Sequence, residues 1–428
     1  MKAGYGRLSI TPPIGERMAG YPLRRDFAAD ILDELYARAL SLKDGDEVYV
    51  IVSVDLFSVD IDMSNLAKCI ISERTGVPMD RISIVATHTH SGPDVSGIFY
   101  GVSKHVRGTI ISKIASAAIL SLKHMYDVGI KQSVGLVEGI AVNRRAPRKG
   151  AIDSRVHAIG FVDRSSLDYK FIIASFSCHP VILGPSNLCY SADYPGAFNS
   201  FIERITEARS IFLNGACGDV NPLTPSTRLN SVYDRSSGTY DEVKWMGRIL
   251  ACEAVKSLDI VREESNLMLK VIGDELKVNI RKPMDLKEAK ERYRRIKDEA
   301  KRSKTWNEEV AYRLWRAKRA YNILLKFKDR DRLNIRISAL GLSNNLAIVF
   351  LPSEVFVEIG LKIKKDSPFR NTVIVSYANE YFGYIPTAKA FNEGGYEADF
   401  PVSIVPENTE EEIVSKTLEV LYRLERYY

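Results

Sequence analysis

A recurring pattern of apolar runs, each ending in polar residues, constrains the fold of this chain most strongly. The run 48–57 (VYVIVSVDLF) is almost wholly apolar, which is typical of a central strand covered on both faces. A second run, 82–86, follows a segment ending at Gly76, in which Asp62 or Ser64 can cap a helix. This strand–helix–strand order predicts an α/β protein, with mixed β-sheets layered with α-helices.

Other apolar runs extend the same pattern along the chain. Residues 1–23, with their Pro and Gly, are expected to be irregular. We find no internal repeat or low-complexity linker, so residues 1–428 are predicted to form a single domain. Further strands are predicted at 35–42, 133–142, 155–163, 171–177, 210–213, 265–280, 334–351 and 372–377.

Composition excludes several classes of protein. The net charge of +6 comes from basic residues that are mostly interleaved with acids, unlike a nucleic-acid footprint. The five cysteines include no CxxC pair, so neither a disulfide framework nor a cysteine zinc site is indicated. No secretory h-region and no run of about 20 apolar residues occurs, which favours a cytoplasmic protein. A single glutamine, Gln132, is typical of proteins from hot environments.

The end of the second run carries two histidines. His88 and His90 follow Ala86 in the sequence THTHSGP, and strand alternation predicts that both rings lie on the same side. A surface HxH pair usually has no function. However, the chain has only 6 histidines, and another, His179, also follows a buried run and precedes a proline. His88 and His179 are therefore a plausible pair of neutral nitrogen ligands for a metal.

Other polar residues allow two interpretations each. An arginine pair in a loop, Arg144 and Arg145, is usually solvated but could contact an anion. Asp193 could cap a helix or orient a ligating histidine. The glycine-rich turn after residue 213 could bind an oxyanion or merely turn. Cys178, beside His179, is better interpreted as a buried filler than as a nucleophile.

Residues 283–330 differ from the rest of the chain. Apolar residues recur there in steps of three and four on two segments, for which Asp285 and Asn307 can serve as N-caps. This pattern predicts an inserted antiparallel helical hairpin with basic outer faces. Its expected role is structural or an oligomer contact, and binding to an anionic lipid surface is a weaker hypothesis.

Taken together, the motifs resemble the neutral/alkaline, non-lysosomal ceramidase family in its zinc-dependent amidohydrolase domain. They occur in the family's order over nearly the whole chain, and the opening ITPP…MAGYP also fits. The matching segments are THTHSGP at 87–93, NR at 143–144, CHP at 178–180, GDVNP at 218–222, PSE at 352–354, NEYFGYIPT at 379–387 and GGYEA at 394–398.

The resemblance implies a zinc site. The family uses the first His of HTH, the His of HP, the Glu of P-x-E and a Tyr. In this sequence those residues are His88, His179, Glu354 and Tyr384. Two histidines and a carboxylate are a sound catalytic zinc set that leaves a position for water. From the residues alone, the choice among Tyr384, Tyr381 and Glu380 stays open.

The resemblance also implies roles around the scissile bond. His90 would face the substrate, and Arg144 and Tyr396 would lie where an oxyanion develops. One residue departs from the family, because ceramidases have Ser within GDVSP and this chain has Asn221. An amide cannot attack a carbonyl as a hydroxyl can, so zinc-bound water becomes the expected nucleophile and Asn221 a residue that orients substrate. The C-terminal β-sandwich of ceramidases is also not expected here.

The sequence therefore predicts a Zn²⁺-dependent hydrolase that cleaves the amide bond of an N-acylated amine, ceramide-like or simpler. The alternatives are a metal-dependent ester or phosphoester hydrolase and a non-catalytic binding protein. The expected partner is a small-molecule amide. Nucleic acid is not expected, membrane contact is not required, and a homo-oligomer is an open alternative.

Overall fold

The computed structural model describes residues 1–231 and 238–428, and it confirms the predicted α/β architecture. The strands are β1 (Lys2–Ser9), β2 (Asp30–Ile31), β3 (Tyr36–Asp44), β4 (Glu47–Val54), β5 (Ile82–Ala86), β6 (Met125–Leu136), β7 (Ala141–Asn143), β8 (Arg155–Asp163), β9 (Tyr169–Phe176), β10 (Cys189–Tyr190), β11 (Arg209–Asn214), β12 (Val220–Pro222), β13 (Lys270–Asn279), β14 (Arg332–Ser343), β15 (Leu346–Phe350), β16 (Glu354–Val355), β17 (Asn371–Val375) and β18 (Tyr384–Ile385). The helices are α1 (Ile61–Thr75), α2 (Lys104–Lys123), α3 (Asp193–Thr206), α4 (Tyr240–Asp259), α5 (Leu286–Arg302), α6 (Glu308–Lys326), α7 (Val357–Asp366), α8 (Ala388–Glu393) and α9 (Thr409–Glu425), with short 3-10 helices at Met79–Arg81 and Leu229–Ser231.

Two mixed sheets form the centre of the molecule. The larger has the strand order β11-β9-β8-β6-β1-β3-β4-β5, and the smaller has the order β13-β14-β15-β17. Short two-stranded pairings join β10 to β2, β12 to β7 and β16 to β18. The last two of these small pairings contain Asn221, Glu354 and Tyr384 of the candidate site described below.

The buried side chains divide into layers. One apolar cluster contains Leu40 and Ile173 of the larger sheet together with Phe350 and Val373 of the smaller, so these two sheets share a core. The larger sheet packs through its other side chains against α1 to α4, and the smaller one packs against α7 and α9. The order of layers is therefore helix, sheet, sheet, helix, which buries both faces of each sheet.

Local sequence explains where several helices begin and end. Asp60, rather than the predicted Asp62 or Ser64, accepts the Met63 amide at the start of α1. Gly76 ends that helix in the left-handed conformation that glycine favours. The two helices predicted in the 283–330 segment, α5 and α6, are capped by Asp285 and Asn307. Both lie in the connection between the neighbouring antiparallel strands β13 and β14.

The expectation that residues 1–23 are irregular is wrong for the first of them. Strand β1 pairs with β3 over its whole length, although Gly4 and Gly6 lower its intrinsic strand propensity. Tertiary packing accounts for the difference. A Cβ on Gly4 would stand 2.1 Å from the carbonyl oxygen of Ser121, and one on Gly6 would stand 2.1 Å from that of Ala117. The glycines therefore let α2 lie directly on the strand.

A membrane span needs a helix of sufficient length and hydropathy. Within the described residues, no helix is both long enough and apolar enough to cross a bilayer.

The shared core of the two sheets can be tested at Phe350. Its ring is 1% exposed and lies 5.8 Å from that of Tyr49 on the larger sheet. Phe350→Ala is expected to lower the free energy of unfolding by about 3–5 kcal/mol, because the cavity cannot collapse between two sheets. Urea denaturation measures this loss, with Leu167→Ala as control, since Leu167 is 71% exposed. An equal, small effect of both changes would contradict the shared core.

Candidate metal centre and pocket

Two histidines project from the loops that follow β5 and β9, strands that pair in parallel with β4 and β11 respectively. His88 is fully buried, and its Nδ1 lies 2.6 Å from the carbonyl oxygen of Phe57. The Nδ1 atom of His179 lies 2.7 Å from the carbonyl oxygen of Cys217. A carbonyl oxygen can only accept, so both Nδ1 atoms carry the proton and donate it. In the neutral ring this tautomer leaves a lone pair on Nε2, as in a metal-ligating imidazole.

A segment after β17 brings these loops together. The amide of Ala86 at the end of β5 donates to Tyr377, and the amide of Ser376 donates to Asn214 at the end of β11. The two edge strands of the larger sheet are thus bridged by one piece of chain. The ring of Tyr377 also stacks on that of His88, with centroids 4.1 Å apart, and so fixes its plane.

The strand argument used for His88 and His90 is wrong in its mechanism. Strand β5 ends at Ala86, and His88 has φ of 69°, in the left-handed region, so strand alternation does not govern the two rings. They nevertheless meet, with Nε2 atoms 3.3 Å apart. The His90 ring packs on Gly20, where a Cβ would come within 2.7 Å of it. Glycine in the MAGYP segment thus makes room for His90.

Glu354 completes the cluster from a different part of the chain. It begins the short parallel pair of β16 and β18, whose register places it beside Tyr384. One carboxylate oxygen lies 3.0 Å from Nε2 of His179 and 3.4 Å from Nε2 of His88. The other accepts a hydrogen bond of 2.5 Å from the Tyr381 hydroxyl. Burial raises the pKa of Glu354, but the two histidines outweigh it and hold the pKa well below its usual range.

These donors fit a cation. Burial lowers the pKa of His179 to about 4, so its ring is neutral at neutral pH. With its proton on Nδ1, the neutral His179 ring then turns the Nε2 lone pair toward a Glu354 carboxylate oxygen 3.0 Å away, an arrangement that is repulsive without a positive charge beside it. The potential ligand atoms of His88, His90 and His179 also lie within 4.8 Å of one another. Imidazole nitrogen and carboxylate oxygen are the ligands that zinc takes in catalytic sites.

Arg144 and its partners form the second part of the site. Strand β7 pairs with β12, which brings the Arg144 loop beside Asn221. The buried guanidinium donates to the carboxylate of Glu397 at 3.0 Å, to Asn221 Oδ1 at 3.3 Å and to the Tyr384 hydroxyl at 3.1 Å. The Tyr384 and Tyr396 rings meet edge to face, 5.9 Å apart. Arg144 is thus held in the fold by a buried carboxylate, and is not a solvated loop residue.

The two groups line one pocket of about 1090 Å³. Its walls include every predicted site residue except His88 and His179, which lie beneath Glu354 and His90. Of the tyrosines left open by the sequence, Tyr381 contacts the Glu354 carboxylate and Tyr384 contacts Arg144. The other lining residues used below are Phe57, Phe99, Arg145, Trp315, Glu393 and Glu397.

Sequence reasoning did not single out Glu397 or the aromatic lining. Glu397 follows Tyr396 directly in the GGYEA segment, so its position in that motif was the available signal. Phe57 belonged to an apolar run that was assigned wholly to core packing. The Asp193 side chain is not the N-cap of α3, which begins at Asp193 with Ala192 as its N-cap; its carboxylate accepts the backbone amides of Leu183 and Tyr194. Cys178 is fully buried, as expected of a filler.

The chain is thus a layered α/β protein with a buried histidine–carboxylate cluster beside a pocket. No family model matches the chain. Among solved structures, the neutral ceramidase of Pseudomonas aeruginosa matches with a TM-score of 0.77 and 17% identity, over 100% of this chain and 74% of that one. A ceramidase complexed with C2 matches with a TM-score of 0.77 and 16% identity, over 100% and 75%. The chain therefore has the neutral ceramidase fold.

The donor cluster predicts metal binding that can be measured directly. Purified protein dialysed against zinc is expected to retain about one ion per chain. His179→Ala should lose it, because the change removes a neutral nitrogen donor from the centre of the cluster. Elemental analysis by mass spectrometry gives the stoichiometry.

The control for this measurement is His105→Ala. His105 is exposed on α2 and lies outside the cluster, so its removal should leave the zinc content unchanged. Equal zinc content in all three proteins would show that the cluster does not hold the ion.

Proposed function

We propose that this protein is a zinc-dependent hydrolase that cleaves the amide bond of an N-acylated amine. The observation that carries the proposal is the meeting of His88, His179 and Glu354 at the floor of a pocket that also contains Arg144. The likeness in fold to a neutral ceramidase, and to a ceramidase complexed with C2, supports an amide of the lipid type.

The proposed ligands are His88, His179, Glu354 and Tyr384, as the family resemblance implies. When bound, zinc supplies a Lewis acid for the scissile carbonyl and lowers the pKa of a water molecule to about 7. The hydrogen bonds that these side chains make away from the proposed ion support this assignment. Backbone carbonyls orient both histidines, and Tyr381 orients the Glu354 carboxylate. Such outer contacts fix ligand geometry in metal sites.

The remaining residues would handle the oxyanion and the proton. Arg144 is pre-oriented by Glu397, and Tyr396 lies under its guanidinium, 5.4 Å from the ring centroid. Their N–H and O–H groups are the kind of donors that stabilise the oxygen of a tetrahedral intermediate. His90 lines the same pocket, and its Nε2 faces the ligand cluster, where it can accept a proton from the attacking water. The C–N bond then breaks, and the amine leaves with that proton.

Asn221 fits the attack of water better than attack by a side chain. Its carboxamide oxygen accepts from Arg144, so it helps to hold the guanidinium. A carboxamide has no hydroxyl to acylate, and no covalent intermediate on this residue is proposed.

Charge balance favours a neutral carbonyl substrate over a phosphoester. Glu397 accepts from both Arg144 and Arg145, and Glu393 lies 3.6 Å from Arg145. Arg144 and Arg145, two of the four cationic side chains among the described lining residues, are therefore already paired with carboxylates. A phosphoester site needs surplus positive charge to stabilise an anionic substrate.

The proposed function predicts a specific substrate and metal dependence. Against a panel of matched amide, carboxylic ester and phosphoester substrates, the zinc-loaded protein should cleave the amide. Removal of the metal by chelation should abolish cleavage, and added zinc should restore it. Cleavage of the phosphoester alone, or undiminished cleavage after chelation, would contradict the proposal.

Arg144→Lys tests the oxyanion role. A lysine keeps the charge, but the donors of its single nitrogen cannot replace those of the planar guanidinium, whose three nitrogens donate to Glu397, Asn221, Gly218 and Tyr384. We expect kcat to fall by about 10²–10³-fold, as for loss of one oxyanion donor. Arg7→Lys is the matched control, because Arg7 pairs with Glu203 at a partly exposed site of the larger sheet. Steady-state kinetics would refute the role if both variants kept the wild-type kcat.

A further inference from the structure

A group of aromatic side chains runs from the candidate metal centre to the helical hairpin. The Phe57 ring lies 4.4 Å from that of His88 and 5.4 Å from that of Phe99. Phe99 in turn stacks on Trp315 of α6, with centroids 5.7 Å apart and planes inclined by 14°. Tyr381, which holds Glu354, packs edge to face on Phe57 at 5.5 Å. We call Phe57, Phe99, Trp315 and Tyr381 the aromatic wall, and all four line the pocket.

The hairpin is fixed to the loops that form the pocket. The indole nitrogen of Trp315 donates to the carbonyl oxygen of Ile98 at 3.0 Å, and Lys318 donates to that of Phe99 at 2.9 Å. Arg319 donates to the carbonyl oxygen of Pro401 at 3.0 Å. Because these bonds reach two separate loops, α6 is held in place as one wall of the pocket.

A carboxylate stiffens the loop that carries the middle of the wall. The Asp94 side chain accepts the backbone amides of Ile98, Phe99, Tyr100 and Gly101, at 2.6–3.2 Å. Four bonds to one buried carboxylate fix the backbone on either side of Phe99. The ring of Phe99 is therefore held between Phe57 and Trp315, and the wall is preformed.

A second part of the lining is charged. Arg145 bonds to Glu397 and to the carbonyl oxygen of Gly394, and Glu393 and Lys389 lie on the adjoining helix α8. One part of the pocket is thus apolar and aromatic, and another carries paired charges. An amphiphilic amide has the same division, between an acyl chain and a polar amine.

On the basis of the proposed function, we propose that the aromatic wall is the acyl subsite and that Trp315 sets its outer limit. The preferred substrates are then amides whose acyl chain is long enough to reach the hairpin. An acetyl group ends near the first ring of the wall, whereas a dodecanoyl chain would extend to Trp315. The hairpin therefore acts as a specificity element for this reaction.

The test uses acetyl and dodecanoyl amides of one fluorogenic amine. The wild type should have the higher kcat/KM on the dodecanoyl substrate. Trp315→Ala should lower the dodecanoyl-to-acetyl ratio of kcat/KM by about tenfold or more, chiefly through KM. Trp315→Phe keeps an aromatic ring against Phe99 and should retain most of the dodecanoyl-to-acetyl ratio. This variant tests the role of the aromatic ring even if the alanine variant folds poorly.

Tyr293→Ala is the matched control within the hairpin. Tyr293 stacks on Tyr321 of the other helix at 6.0 Å and is not among the residues lining the pocket. Its loss weakens the hairpin without touching the wall, so the ratio should stay as in the wild type. A ratio unchanged in Trp315→Ala, or lowered equally in Tyr293→Ala, would overturn the proposal.

A binding measurement separates this proposal from the proposed function. Titration calorimetry with dodecanoate on metal-free protein needs no turnover. Binding that weakens about tenfold or more in Trp315→Ala, and not in Tyr293→Ala, supports the subsite even if no amide is hydrolysed. Amide hydrolysis without either dependence on Trp315 would leave the proposed function standing and refute the subsite.

Discussion

The hydrogen bonds from two histidine Nδ1 atoms to backbone carbonyls are the constraint on which the rest of the site depends. They hold Nδ1 of His88 and of His179 as the protonated nitrogen, and so turn both Nε2 atoms toward Glu354. The carbonyls belong to Phe57 and Cys217, in the loops that follow β4 and β11. The orienting groups are thus backbone atoms of loops that start from the larger sheet, and side-chain motion cannot displace them.

Two tyrosines join the candidate metal centre to the rest of the pocket. Tyr381 bonds to Glu354 and packs on Phe57, while Tyr384 lies beside Glu354 in the short parallel pair and bonds to Arg144. The residues proposed to bind the ion, stabilise the oxyanion and seat the acyl chain are therefore neighbours in one packed network. A change in any one of them is expected to disturb the others, so single-residue effects there will not add.

Much of this could be predicted from the sequence, because the features involved are local. Strands such as β4 and β9 are continuous apolar runs. The spacing of apolar residues predicted the two hairpin helices, and Asp285 and Asn307 cap them as expected. Other features depend on contacts distant in sequence. The strand β1 exists because α2 lies on its glycines, and the two histidines meet through left-handed backbone rather than through strand alternation. The role of α6 as a pocket wall depends on bonds to loops more than 80 residues away in the chain.

X-ray absorption at the zinc edge of the zinc-loaded protein tests the central claim most directly, because it reports the atoms bound to the ion. The account predicts a first shell of nitrogen and oxygen at about 2.0–2.1 Å, with the outer-shell scattering of two or more imidazole rings. Loss of one ring from that signal in His88→Ala would identify the donor. A sulfur shell at about 2.3 Å, or a shell of oxygen without imidazole scattering, would contradict the account.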